Sequence, residues 1–251
     1  DKPPNRYDVC FNMICRTVRI AVILILCSVV AAADTRIRDL QPTVLMIAID
    51  GFRYDYPEKF KTPNLDAIAK KGVRAQWMQP SFPTKTFPNF YTLVTGLYPE
   101  EHGIVENNIF DFGTVFSFGN KPEVSNGRWW LGEPIWVTAE KQGVRTAPYL
   151  YPGTEAEIAG RRPSFWTEYI HDMPTSQKID KIIGLLQLPL AERPRYLSIY
   201  FHDVDTAGHE FSPDSPETQK AVENVDAAIG VMLSRLKELG IEKKINIIVV
   251  S

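Results

Sequence analysis

Three short polar stretches carry the side chains that could do chemistry. They are Asp50-Gly51, Thr86 within Pro83-Thr84-Lys85-Thr86-Phe87-Pro88-Asn89, and Asp205-Thr206-Ala207-Gly208-His209. Asp205 and His209 stand one helical turn apart, and carboxylates with imidazoles suit a catalytic zinc or a similar divalent ion. Cys10, Cys15 and Cys27 all precede residue 28. A metal held by the rest of the chain must therefore take Asp, Glu, His or Asn. Thr86 falls at the start of a predicted helix, where N–H groups and the positive dipole end suit a phosphate. A hydroxyl there is a nucleophile once its proton is removed. Each stretch also has an ordinary account: Thr86 as an N-cap, Asp50-Gly51 as a turn, Asp205 and His209 as solvated loop residues.

The elements that position these residues follow from periodicity and punctuation. Residues 43–49 form a continuous apolar run, the pattern of a parallel strand buried on both faces, and Asp50 follows its carboxyl end. Ligand crevices of open α/β sheets lie outside that end. Thr62 caps a predicted helix that has Pro63 at its first position and Gly72 at its end. Residues 73–78 are expected to form the next strand and deliver the chain to the Thr86 loop. Residues 87–95 have helical spacing, with Pro88 in the first turn and Gly96 as the stop. Phe110, Phe112, Phe116 and Phe118 crowd a glycine-containing loop, an arrangement expected to pack beneath it. Further on come a helix ending near Gly143, a short strand before Tyr151-Pro152-Gly153, and an amphipathic helix over 176–187. A strand over 196–201, a long helix from Ser215 to about Leu239 and a strand over 245–250 complete an α/β order.

Length and charge bound the rest. The 251 residues suffice for one large domain or two small ones. The net charge of −2 leaves no polybasic face, which argues against a nucleic-acid duplex as partner. Arg16 and Arg19 precede an apolar run over 20–30 and then Ala31-Ala32-Ala33, the layout of a secretory signal. That run is short for a membrane span. Residues 1–33 are read as upstream sequence plus signal peptide, and 34–251 as the mature chain. The expected location is the secretory pathway, extracellular or at the cell surface.

The motifs occur in one order: Asp50-Gly51-Phe52-Arg53, the Thr86 loop, Val94-Thr95-Gly96-Leu97-Tyr98-Pro99-Glu100, His102-Gly103-Ile104, and Asp205 to His209. In that order the chain closely resembles the ectonucleotide pyrophosphatase/phosphodiesterase family of the alkaline phosphatase superfamily. Pro134-Ile135-Trp136-Val137-Thr138-Ala139 and Tyr151-Pro152-Gly153 match further landmarks. The resemblance covers about 42–251. It implies an alkaline-phosphatase-like, mainly parallel sheet flanked by helices and incomplete at its C-terminal side.

The resemblance also implies a hydrolase with two zinc ions. Thr86 matches the nucleophile and, with Asp50, ligates one ion; Asp205 and His209 match ligands of the other. Asn107 matches the side chain that hydrogen-bonds the phosphoryl oxygen. Phe87 and Tyr169 match the aromatic pair that holds a nucleotide base. Tyr151 stands where nucleotide-cleaving members carry Trp, Glu155 where they carry Asp, and Phe90 where they carry His. The expected substrates are nucleotides or other small phosphodiesters, cleaved through a threonyl-phosphoryl intermediate. A choline-phospholipid phosphodiesterase and a catalytically dead secreted binding protein are the competing readings. The family completes its metal sites beyond the equivalent of Ser251, so residues 1–251 alone are expected to be inactive, with a membrane tether possible in a later segment. His102 is read as a packing residue, His171 as a surface residue and His202 as a neighbour of the site.

Overall fold

The computed structural model describes residues 35–251. The signal-like stretch and the three cysteines lie outside the described residues. Within them, four strands form one parallel sheet: β1 (Val44–Ile49), β4 (Thr146–Tyr149), β5 (Tyr196–Phe201) and β6 (Asn246–Val250), in the order β4-β5-β1-β6. A separate hairpin pairs β2 (Asn108–Asp111) with β3 (Thr114–Ser117). The central strands are the most apolar because both of their faces are covered; every residue of β5 is buried. Pro148 sits in β4, an edge strand, where a missing N–H interrupts no inner ladder. At the other edge β6 is half covered, with Ile248 45% exposed.

Helices α1 (Pro63–Lys71), α2 (Thr86–Thr95), α3 (Ile135–Lys141), α4 (Thr175–Leu186), α5 (Asp203–Phe211) and α6 (Pro216–Glu238) join single-turn helices around this sheet. α6 packs against α1, α4 and α5 through Val222, Val225, Ile229 and Met232, all buried. Its Asp226 is also buried, and its carboxylate accepts the Asn64 and Leu65 N–H groups at the start of α1. The remote carboxylate thus does the capping expected of Thr62, whose side chain makes no cap bond. None of the described helices is long and apolar enough to cross a membrane.

Three expectations need correction. Phe110 and Phe112 do not pack beneath a loop; they are exposed on the hairpin of β2 and β3, and only Phe116 is buried. Residues 73–78 form no strand; Val73 is fully exposed, and the segment runs irregularly over the surface. Its apolar residues find no sheet partner, so β propensity has nothing to act on. The ordinary account of Asp205 and His209 as loop residues also fails: they lie in the body of α5, which runs through Gly208.

Candidate active site

Parallel pairing brings two of the polar stretches together. In the register Ala48 faces Tyr200 and Ile49 faces Phe201, and the Asp50 N–H continues the ladder by donating to Phe201 O at 2.8 Å. Asp50 and the start of α5 therefore leave the same end of adjacent strands. Gly51 makes the approach possible. Its φ is +68°, and a Cβ there would lie 2.6 Å from Asp205 Cα.

α2 then aims Thr86 at Asp50. Thr86 is the first helical residue, and Lys85 occupies the cap position. The hydroxyl is spent on no cap bond; Oγ1 donates to Asp50 Oδ2 at 3.0 Å. Tyr200 Oη donates to the same oxygen at 2.6 Å. Burial holds the Asp50 carboxyl above its ordinary range; the Tyr200 bond opposes this, and the Asp205 charge adds to it.

Asn107 sits beside this pair. Its Oδ1 accepts the Phe87 N–H at 3.0 Å. A backbone N–H can pair only with the oxygen of a carboxamide, so the amide is fixed with its NH2 as the remaining donor. One N–H of the helix start, expected to face a phosphate, is thus already used.

These residues line a cavity of about 300 Å³. Asp50, Thr86, Phe87, Asn107, Tyr151, Glu155, Tyr169 and Asp205 all contribute to its wall. His209 does not line it. It stands on α5 with its side chain 81% exposed and Nε2 3.5 Å from Asp205 Oδ1. Among the described residues no three His, Cys, Asp or Glu side chains gather closely enough to hold a metal ion.

The aromatic positions differ in character. Phe87 is buried against Phe116 and Trp130, and Phe118 also lies against it. Tyr169 is half buried, edge-on to Phe118, with its hydroxyl 3.2 Å from His202 Nδ1. Tyr151 is buried, donates to Phe90 O at 2.7 Å and packs on the Phe90 ring. Phe90 also packs on Tyr200, so this apolar ring belongs to the aromatic stack behind the site. Glu155 is buried, accepts the Tyr169 N–H and faces Lys121 Nζ at 3.8 Å. It therefore holds the backbone that presents Tyr169.

The family model for type I phosphodiesterase / nucleotide pyrophosphatase matches residues 44–251. The chain belongs to this family. A phosphodiesterase-family relative, an uncharacterized pyrophosphatase/phosphodiesterase of Schizosaccharomyces pombe, is 46% identical over 84% of this chain and 44% of its own length. Ectonucleotide pyrophosphatase/phosphodiesterase family member 3 of Rattus norvegicus is 40% identical over 84% of this chain and 24% of its own. The chain thus spans less than half the length of these relatives. A solved structure of murine ectonucleotide pyrophosphatase/phosphodiesterase 5, an inactive threonine-to-alanine variant in complex with AMP, is similar with a TM-score of 0.79 and 32% identity. It covers 83% of this chain and 56% of its own.

The phosphodiesterase fold also places residues that sequence reading passed over. Tyr200 was legible only as a buried strand residue; an aromatic hydroxyl two residues before a strand's polar end was the available signal. Lys121 and His171 line the cavity as well, as does His202, which the sequence places as a neighbour of the site. The His171 and His202 rings lie 4.1 Å apart, so His171, although exposed, belongs to the rim of the site.

Proposed function

We propose that this chain carries the nucleophile-bearing part of a hydrolase that cleaves phosphodiester and pyrophosphate bonds of nucleotides. The observation that supports it most directly is the Thr86–Asp50 hydrogen bond in the wall of an aromatic-lined cavity. Thr86 Oγ1 attacks phosphorus, the alcohol or phosphate leaves, and a threonyl-phosphoryl ester forms that water then cleaves. Asp50 fixes the direction of the hydroxyl. The Asn107 NH2 donates to a phosphoryl oxygen as charge develops there. Tyr169 and the rim of Phe87 take the base between them, and stacking tolerates more than one base. The AMP complex of the similar murine protein, in a variant lacking a threonine hydroxyl, supports a nucleotide in such a cavity.

The donor set fits two zinc ions in part. Asp50 with Thr86 would serve one and Asp205 with His209 the other; the carboxylates and imidazole are types that zinc accepts, and Thr86 would join them once its proton is removed. Bound zinc would lower the pKa of an attacking hydroxyl and offset charge on the phosphoryl group. The basic and apolar stretch over 16–33 supports entry into the secretory pathway, hence an extracellular or cell-surface site of action.

The test is turnover of a nitrophenyl ester of thymidine monophosphate by the full-length protein. Thr86→Ala is expected to abolish it and Thr86→Ser to retain part. Thr86 makes no cap bond, so any fall in the thermal midpoint should be confined to the loss of its bond to Asp50, to which Tyr200 still donates. Near-normal turnover by Thr86→Ala would refute the nucleophile. An inert wild-type protein that still binds nucleotide would support a binding protein, and preference for lysophosphatidylcholine over a dinucleoside polyphosphate would support the lipid reading.

A further inference from the structure

The segment that leads into Thr86 is tied down mainly at its start, where Arg74 pairs with Glu58 and donates to Tyr54 O and Trp77 lies edge-on to Tyr54. Residues 73–82 contain no helix or strand, and Trp77, Met78 and Phe82 are exposed, Phe82 by 89%. Apolar packing therefore does not fix where the chain enters α2.

Side-chain hydrogen bonds do: Thr84 Oγ1 donates to Ser81 O at 3.2 Å, and Asn89 makes the rest. Asn89 lies one turn into α2. Its Oδ1 accepts the Ser81 N–H at 2.7 Å and Ser81 Oγ at 3.0 Å. Its Nδ2 donates to Pro83 O at 3.2 Å and to Lys85 O at 3.0 Å. A carboxamide has two acceptor sites and two donor hydrogens, and all four are taken by the five residues that precede Thr86. Ser81 Oγ also lies 3.4 Å from Thr92 Oγ1, which pairs with the buried His102 Nε2 at 3.0 Å. The network therefore ties the loop to α2 at two successive turns.

We propose that Asn89 is a positioning residue for Thr86: it clamps residues 81–85 onto α2 and so sets the direction in which the Thr86 hydroxyl leaves the helix. This role rests on Thr86 being the nucleophile. Asn89 touches neither Thr86 Oγ1 nor Asp50 and acts only through the loop. A misplacement of about 1 Å is enough to lower turnover roughly 100-fold.

The experiment compares Asn89→Ala, Asn89→Asp and Thr86→Ala in the full-length protein. Asn89→Asp keeps the acceptor for Ser81 but turns an oxygen toward the Pro83 and Lys85 carbonyls. Both Asn89 variants are expected to lose about 10- to 100-fold in kcat, with KM for the nitrophenyl ester changed no more than about twofold. Hydrogen exchange at the Ser81 amide should accelerate in Asn89→Ala and stay slow in Asn89→Asp. A lower thermal midpoint with unchanged kcat per folded molecule would overturn the proposal, as would a rise in KM alone. So would an undiminished kcat in Asn89→Asp, the variant closest in shape. Retained turnover in Thr86→Ala is a separate outcome: it overturns the nucleophile reading, and the role of Asn89 with it.

Discussion

Tyr200 Oη donates to Asp50 Oδ2 across adjacent parallel strands, 2.6 Å from the oxygen that also receives the Thr86 hydroxyl. Two side-chain donors on Oδ2 fix the plane of the carboxylate and leave Oδ1 as the atom it would offer to zinc under the proposed reading. A short O–H···O⁻ bond is among the stronger hydrogen bonds a buried carboxylate can accept. Tyr200→Phe should keep the fold and lower zinc affinity about 10- to 100-fold, the usual effect of losing a partner behind a ligand. Competition against a chromophoric chelator measures it, and unchanged affinity would assign the bond to packing alone.

Phe87 and Tyr169 should part company when mutated. Phe87 is buried among Phe116 and Trp130, so Phe87→Ala is expected to cost about 3–5 kcal/mol of stability besides any effect on binding. Tyr169 is half buried. Tyr169→Ala should raise KM for a nucleotide ester far more than for a small bis-nitrophenyl phosphodiester, by a factor of about 5 to 100, since only the former stacks. Tyr169→Phe keeps the ring face and should restore most of the loss. Equal effects on both substrates would mean that the ring only packs.

Two glycines near the site predict opposite signs. Gly51→Ala places a methyl against Asp205 Cα at a φ of +68°, so it should destabilise by at least ~1 kcal/mol and separate Asp50 from Asp205. Gly208 lies inside α5, and a methyl added there would meet no atom within 4 Å, so Gly208→Ala should stabilise by about 0.5–1 kcal/mol. Urea midpoints of the two variants decide it; stabilisation by Gly51→Ala would contradict the close approach.

His102 predicts an acid-side weakness. Its Nδ1 accepts the Ile104 N–H at 3.2 Å, so Nε2 carries the proton and faces Thr92 Oγ1. Burial holds its pKa below the ordinary 6.5. As pH falls through about 6.5 the unfolded chain takes up the proton first, so His102 lowers stability until the folded pKa is reached. His102→Gln should be less stable at neutral pH yet flatter between pH 7.5 and 5, measured on the metal-free protein. Parallel curves for the two proteins would show that another group sets the acid limit.

Much of the molecule was legible in local pattern. The runs over 43–49 and 196–201 are apolar throughout because those strands are covered on both faces, and Gly96 stops α2 in the left-handed conformation, φ 71°. Pro63 starts α1 and Pro216 starts α6, each where a missing N–H costs nothing. The spacing of Asp205 and His209 was equally plain, since i and i+4 share a helix face. Local pattern failed where the deciding partner is distant. Residues 73–78 look like a strand but have no neighbour to pair with. α1 looks capped by Thr62, whereas Asp226, 160 or more residues away in sequence, holds its N–H groups. Phe87, matched to one of the two base-holding aromatics, lines the cavity but is also buried against rings from another stretch of chain, a contact no local pattern announces. The sequence by itself therefore determined the elements, their order and the residue types available for chemistry, because helix, strand and cap preferences act over a few residues. Tertiary structure alone decided that Tyr200 and Thr86 share one oxygen of Asp50, that Asn107 is oriented by Phe87 N–H, and that Asn89 clamps the loop before Thr86. The register of β1 on β5 brings Tyr200 to Asp50, and the packing of α2 brings Thr86 there. The return of the chain after α2 brings Asn107 to Phe87, and the clamp, although its partners are near in sequence, needs the loop folded back on α2.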